Sequence, residues 1–217
     1  MTRKKRNAHM GAQGDIKFVR MQESNNTEEL LIRVDRLDVI QGSIKKYQAH
    51  LLDTIQQGIV HRAFSLFLFD EANRLLVQQR SKYKCAWPLH YSNSCCSHPL
   101  YMEYEMEDND HLGIKRAARR RLKQELGIPE SMINLDNIKL VDKFFYTAIS
   151  NETYGESELD YILLLRKNVN TTVNEQEIKK ICCVSKSNMD AFLATHQVTP
   201  WFKMIIDRYP IWEMLDA

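Results

Sequence analysis

Apolar positions set two rhythms along this chain, and the stretches where both rhythms fail hold most of its reactive side chains. Ala63-Phe-Ser-Leu-Phe-Leu-Phe69 is a near-continuous apolar run of strand length. Residues 70–74 read as a turn, and Leu75-Leu-Val-Gln-Gln79 as the hairpin partner. Leu30-Leu-Ile-Arg-Val34 predicts an earlier strand, followed by a turn-rich return over 35–42 and a mixed stretch over 43–61. Residues 80–112 show little periodicity and predict loops and short strands. A connection that long in a compact domain points to a functional region. Ile114, Ala118, Leu122 and Leu126 form one stripe and predict a helix over 113–127, stopped by Gly127 and Pro129. Strands are predicted at 138–148, 159–166 and 179–184, and a short helix capped by Ser185 or Ser187 through 194. Residues 201–215 read as a final amphipathic helix interrupted at Pro210. The order of elements predicts an α+β fold, a mixed-sheet α/β/α sandwich, in one domain over 29–217. Residues 1–28 are polar and predict a flexible extension.

Composition narrows the function classes. At 217 residues and 44% apolar, the chain can bury one substantial core. A net charge of +2 is too small to favour nucleic acid, and no apolar run reaches membrane-spanning length. Met1-Thr-Arg-Lys-Lys-Arg6 is basic but short, and reads as a disordered tail rather than a leader. Cys85, Cys95, Cys96, Cys182 and Cys183 include two adjacent pairs, a poor disulfide framework. Free thiols in a reducing compartment are expected, with the sequons at Asn25, Asn151 and Asn170 unused.

Candidate chemistry centres on Cys95-Cys-Ser-His98. A thiol can exchange a proton or attack carbon, and a histidine two places on can hold a metal or act as a base. Adjacent thiols without a second pair are a weak zinc signal and read better as one reactive group beside a buried neighbour. Glu156 and Glu158 share a strand face, as does Asp160, although a solvent-facing hairpin edge explains that spacing equally well. His50, His61 and His98 complete a candidate nitrogen and oxygen cluster suited to Zn, Mn or Fe in octahedral geometry; each histidine alone reads as an ordinary residue. The 113–127 helix carries Lys115, Arg116, Arg119, Arg120, Arg121 and Lys123, a solvated face, expected to hold for Lys115 and Lys123. Arg121 and Glu125 lie four apart and form either a structural ion pair or a site for phosphate and a divalent cation. Lys46, Arg80 and Lys84 are further phosphate candidates. Tyr146, Trp87 and Trp201 read as core or core-edge residues whose ring faces can stabilise a cationic intermediate.

Several motifs fall in one order: His61-Arg-Ala-Phe-Ser65, Leu76-Val-Gln-Gln-Arg80, Asn93-Ser-Cys-Cys-Ser-His-Pro99, Arg116-Ala-Ala-Arg-Arg-Arg-Leu-Lys-Gln-Glu-Leu-Gly127, Gly155-Glu-Ser-Glu-Leu-Asp-Tyr-Ile162 and Thr199-Pro-Trp-Phe202. Through them the chain resembles type 1 isopentenyl-diphosphate delta-isomerases, animal members above all, over residues 30–207. The resemblance implies a Nudix-like fold and reversible conversion of isopentenyl diphosphate to dimethylallyl diphosphate, a step in isoprenoid and sterol synthesis. It implies a divalent metal (Zn2+, Mn2+ or Mg2+) on His50, His61, His98, Glu156 and Glu158. A Mg2+ accompanying the diphosphate is implied at Glu125 and a backbone carbonyl near Cys96. Diphosphate contacts carry over to Lys46, Arg80, Lys84, Ser97 and Arg121, and catalytic roles to Cys96, Glu158, Tyr146 and Trp201. The implied partner is a small isoprenoid diphosphate, with no nucleic acid and no membrane, bound by a monomer. A cytoplasmic location is expected; the family also implies the peroxisome, but Leu215-Asp-Ala217 is not a peroxisomal ending.

Departures from the pattern define the alternatives. Nudix hydrolases carry Arg-Glu-x-x-Glu-Glu on their metal helix, whereas this chain has Arg120-Arg-Leu-Lys-Gln-Glu125 and keeps only the last carboxylate. That weakens a metal-dependent diphosphate hydrolase. A third reading is a weakly active or inactive relative that binds isoprenoid diphosphates. It draws on Leu89, which stands where the family usually has glycine, and on a tail shorter than that of many animal relatives. If position 89 needs positive φ, Leu89 strains the loop leading to Cys96. Ser157 also departs from the usual residue, but it is expected to face away from the two glutamates.

Overall fold

The computed structural model describes residues 29–216; the 1–28 extension, with its basic start and the Asn25 sequon, lies outside the described residues. The sheet is organised around β3 (Val60–Phe69), whose ten residues are all buried. Burial on both faces follows from its apolar sequence, which leaves no polar side to turn to water. Along one edge β3 runs parallel to β8 (Gly155–Arg166), in register from His61 opposite Glu158 to Phe69 opposite Arg166. Its other edge pairs antiparallel with three elements in turn. These are β1 (Leu30–Val34) at Val60 and His61, β6 (Cys95–Ser97) from Phe64 to Leu66, and β4 (Leu75–Arg80) at Phe69. Beyond these lie β2 (Ile40–Lys45) beside β1, β5 (Tyr91–Ser92) and β9 (Ile178–Val184) beside β4, and β7 (Lys139–Ile149) beside β8.

Alternation along β3 divides the core. Phe64, Leu66 and Leu68 pack with Ile114, Ala118, Leu122 and Leu126 of one long helix, Leu112–Leu126. Phe67 and Phe69 pack on the other face with Phe202, Ile205 and Ile211, from the C-terminal helices Pro200–Arg208 and Ile211–Asp216. The helices are numbered in chain order: α1 (Lys46–Ala49), α2 (Leu52–Gln56), α3 (Glu103–Met106), α4 (Leu112–Leu126), α5 (Met189–Thr195), α6 (Pro200–Arg208) and α7 (Ile211–Asp216). Helices thus cover both faces of a mixed sheet, the expected sandwich. Helix α4 ends as its sequence predicts: Gly127 has φ +68, and its N–H donates to the Lys123 carbonyl at 3.0 Å. Among the described residues no helix is long and apolar enough to cross a membrane.

Several boundaries differ from the sequence reading. The turn-rich return contains strand β2, an edge strand with mostly exposed residues and therefore little apolar period. Strand β3 starts at Val60, which places His61 inside the sheet. Strand β8 starts at Gly155, so Glu156, Glu158 and Asp160 are buried within it rather than standing at a solvent-facing edge. Gly155 permits that start, because a Cβ there would lie 2.5 Å from the Ala148 carbonyl oxygen. Neither Ser185 nor Ser187 caps α5; their hydroxyls lie 3.1 Å from each other, and Asn188 occupies the N-cap. Lys115 is buried and donates to Asp110 at 2.9 Å, whereas Lys123 is solvated as expected. The last helix is broken at Pro210 into α6 and α7.

Candidate active site

Strand register assembles a cluster of imidazoles and carboxylates. His61 and Glu158 are direct neighbours across β3 and β8, and Glu156 lies one period away on the same face. His98 follows β6, and His50 follows α1, where its carbonyl accepts from Gly155 N–H at 3.0 Å. His98 Nε2 lies 2.8 Å from Glu158 Oε1. His61 Nε2 approaches that same oxygen at 3.3 Å, and His50 Nε2 approaches Glu156 Oε2 at 3.1 Å. One ligand atom from each of the five residues lies within 4.8 Å of all the others.

The group fits a divalent ion. Nδ1 of His61 and Nδ1 of His98 are buried without a hydrogen-bond partner, and His61 Nε2 and Glu156 Oε2 have only the ion-pair approaches just given. Leaving such groups unsatisfied costs about 1–3 kcal/mol each, so their convergence calls for a ligand. His50 Nδ1 lies 2.6 Å from the Lys46 carbonyl and donates to it, which leaves Nε2 free to coordinate. Burial raises Glu156 to about 7 against the opposing pull of His50. Burial also works to raise Glu158, but the His61 and His98 imidazoles hold it well below the usual carboxylate range.

A cavity of about 450 Å3 opens beside this cluster. The predicted residues Lys46, His50, Arg80, Lys84, Cys96, Ser97, His98, Arg121, Tyr146, Glu156, Glu158 and Trp201 all line it. His61 joins the cluster behind the lining, and Glu125 belongs to neither. Alternation in β6 separates the two thiols: Cys95 is sealed in the core against α4, and Cys96 reaches the cavity. Burial pushes the Cys96 thiol up to about 11, despite the nearby Arg80 guanidinium, so the thiol carries its proton. Across β3, the Tyr146 hydroxyl donates to Glu158 Oε2 at 2.5 Å. Burial and the Glu158 charge raise the phenol well above its ordinary value, so this pair also holds a proton. Trp201 is fixed by its Nε1–H donating to Asn93 Oδ1 at 3.1 Å, and its ring meets Trp87 edge-on at 5.2 Å.

Arg80 also shapes the loop above the thiol. Its guanidinium donates to the Ala86 carbonyl at 2.8 Å and the Trp87 carbonyl at 3.1 Å. Trp87 and Leu89 both adopt left-handed backbone, with φ +44 and +63. Position 89 therefore does need positive φ, which costs a side-chain-bearing residue about 1–2 kcal/mol. The Arg80 bonds, with Gln79 Nε2 donating to the Leu89 carbonyl at 2.7 Å, hold the loop in place. Such bonds contribute about 0.5–1.5 kcal/mol each, enough to offset the strain.

Comparison with known proteins identifies the family. The NUDIX domain family matches residues 60–202. Isopentenyl-diphosphate Delta-isomerase 1 of Mus musculus is 45% identical over 83% of this chain and 82% of its own length. The chain belongs to the isopentenyl-diphosphate delta-isomerase family. Isopentenyl-diphosphate delta-isomerase 2 of Homo sapiens is 39% identical over 93% of this chain and 92% of its own. A Deinococcus radiodurans protein of known structure covers 83% of this chain and 99% of its own at 17% identity with a TM-score of 0.59, a likeness of fold.

Within this isomerase-family chain, the helix that carries metal ligands in Nudix hydrolases is locked internally. Arg121 Nη2 donates to Glu125 Oε1 at 2.5 Å and Arg121 Nη1 to Gln124 Oε1 at 3.0 Å. Gln78 Nε2 donates to the other Glu125 oxygen at 3.2 Å. Glu125 Oε1 thus takes two Arg121 donors, whereas Oε2 takes one and keeps a lone pair on which a Mg2+ would bind. Other residues of the site carried no local signal in the sequence. Ser65 donates to buried Asp160 at 2.7 Å, and Arg120 holds the His98 carbonyl at 3.1 Å while pairing with Glu105 at 2.6 Å. Glu29 and Glu177, which pair with the cavity's lysines, were likewise unmarked.

Proposed function

We propose that this chain interconverts isopentenyl diphosphate and dimethylallyl diphosphate by delivering one proton to C4 and removing another from C2. One observation carries the reading: Cys96 and the Tyr146–Glu158 pair reach a single cavity from opposite edges of β3, with Lys46, Arg80, Lys84 and Arg121 also in its lining. An allylic proton is not acidic and an alkene is a poor base, so neither transfer runs readily in water. Protonation at C4 leaves a tertiary cation, and proton loss from C2 completes the shift. Tyr146 with Glu158 serves the C4 side, and Cys96 the C2 side; the return reaction exchanges their roles. Trp201 lays its ring face toward the cation and keeps out water that would trap it. Lys46, Arg80, Lys84, Arg121 and Ser97 anchor the diphosphate, so the alkene meets both proton-bearing groups in a fixed pose.

Three imidazoles and two carboxylates suit Zn2+ or Mn2+ better than Mg2+, which prefers oxygen. When bound, that ion supplies positive charge that aligns and acidifies Glu158, while Mg2+ neutralises the diphosphate. Incubation with isopentenyl diphosphate and Mg2+ tests the proposal by following dimethylallyl diphosphate and inorganic phosphate together. Isomer without phosphate is expected. Phosphate without isomer would favour a hydrolase, and binding without either product an inactive relative.

A further inference from the structure

Three of the cations that line the cavity, Lys46, Lys84 and Arg121, are already partnered from within the chain. Lys84 Nζ donates to Glu177 Oε2 at 2.5 Å, and Arg121 Nη2 donates to Glu177 Oε1 at 3.2 Å. One carboxylate therefore bridges two cations, with one oxygen on each. Lys46 has its own partner, Glu29, at 2.6 Å. Glu177 is not sealed in the core, since its side chain keeps 20% exposure.

The backbone around Glu177 is fixed. Its carbonyl accepts from Ser81 N–H at 2.9 Å, and its N–H donates to the Asn174 carbonyl at 2.9 Å. Asn174 N–H donates in turn to the Glu125 carbonyl at 2.9 Å, and Thr172 N–H to the Leu126 carbonyl at 2.8 Å. The loop bearing Glu177 is thus docked on the end of α4, the helix that presents Arg121. A carboxylate offers two oxygens in a fork, as a phosphate does, and both match guanidinium and ammonium donors. Glu177 occupies the place from which a phosphate would bridge Lys84 and Arg121.

We propose that Glu177 is the resident counter-ion of the diphosphate seat, which an incoming diphosphate must displace from Lys84 and Arg121. The inference rests on the reading of Lys46, Arg80, Lys84 and Arg121 as that seat. It makes Glu177 a determinant of specificity. A single phosphate competing for Lys84 and Arg121 meets a tethered rival already in place. A diphosphate also reaches Arg80, whose guanidinium donates to the Ala86 and Trp87 carbonyls rather than to Glu177, and so gains a contact that Glu177 does not contest. The same rivalry keeps the product from being held too tightly.

Titration calorimetry of the full chain with inorganic pyrophosphate and with inorganic phosphate tests the inference. Glu177→Gln keeps shape and removes charge; it should bind pyrophosphate about tenfold more tightly, the order expected when one competing charge is taken from a partly buried site. Inorganic phosphate should gain more than pyrophosphate, so discrimination between them narrows. Glu177→Asp, too short to span both cations, should fall between the variant and the wild type. Weaker or unchanged pyrophosphate binding by Glu177→Gln, with the wild type binding and isomerising normally, would overturn the counter-ion role alone. A wild type that neither binds pyrophosphate nor isomerises would remove the seat, and this inference with it.

Discussion

Cys95 and Cys96 are adjacent in sequence but face opposite sides of the sheet. Cys96→Ala should lower turnover by about 10²–10⁴-fold, the span of a lost acid or base. Cys95→Ala should leave turnover near normal and cost about 1 kcal/mol of stability through a small cavity. Steady-state kinetics and melting curves on both variants check this, and the opposite ranking would contradict the assignment. Leu89 makes a second prediction at this scale. Leu89→Gly relieves left-handed strain, less the freedom glycine gains on unfolding, and should stabilise by about 1 kcal/mol. That corresponds to roughly 2–4 °C in Tm for a chain this size; an unchanged or lower Tm would count against a strained loop. The positional demand at 89 was legible because glycine has so few reasons to be required. Glu29 and Glu177 were not legible, since they meet Lys46 and Lys84 across 17 and 93 residues.

Among the elements, α4 was legible almost to the residue because its stripe, glycine stop and proline all agree. Strand β2 was hidden by its exposed edge position, and the start of β8 by three acidic residues that read as surface. Glu158 and Asp160 are buried where β3 turns His61 and Ser65 toward them, and Glu156 where His50 meets it, facts of register and packing that one strand's own sequence does not contain. A network of charges ties the elements together elsewhere. Asp38, just before β2, accepts from Arg62 Nε of β3 at 2.6 Å, from Lys143 Nζ of β7 at 2.7 Å, and from the Tyr161 hydroxyl of β8. Burial works to raise the Asp38 carboxyl, but the hydrogen bonds from Lys143, Tyr161 and Arg62 lower it below its ordinary 3.8. Because the folded value is the lower one, its stabilisation is present above the unfolded value and is lost as pH falls through the folded value. Melting temperature should therefore drop more steeply below about pH 4 in the wild type than in Asp38→Asn. Parallel curves would show that the network adds no acid sensitivity.

The molecule as a whole draws its candidate metal cluster from the residue after α1, from β3 and β8, and from the turn after β6, so an ion there would cross-link distant parts of the chain. Zn2+ or Mn2+ should raise the melting temperature, with stabilisation of about 2.7 kcal/mol at a hundredfold excess over Kd. His61→Ala should abolish the rise, whereas an equal rise in that variant would place the ion elsewhere. The sandwich was legible from the order of elements, and the site residues from motifs shared with a known family. Their convergence on one cavity depends on the parallel β3–β8 register and the short β6, which periodicity alone does not specify. The central claim is a proton delivered to C4 from one side of that cavity and another taken from C2 on the other. Product analysis in deuterium oxide, with isopentenyl diphosphate and Mg2+, tests it most directly. Dimethylallyl diphosphate carrying deuterium in a methyl group, without phosphate release and lost in Cys96→Ala, is the predicted result; unlabelled isomer, or full turnover by Cys96→Ala, would contradict it.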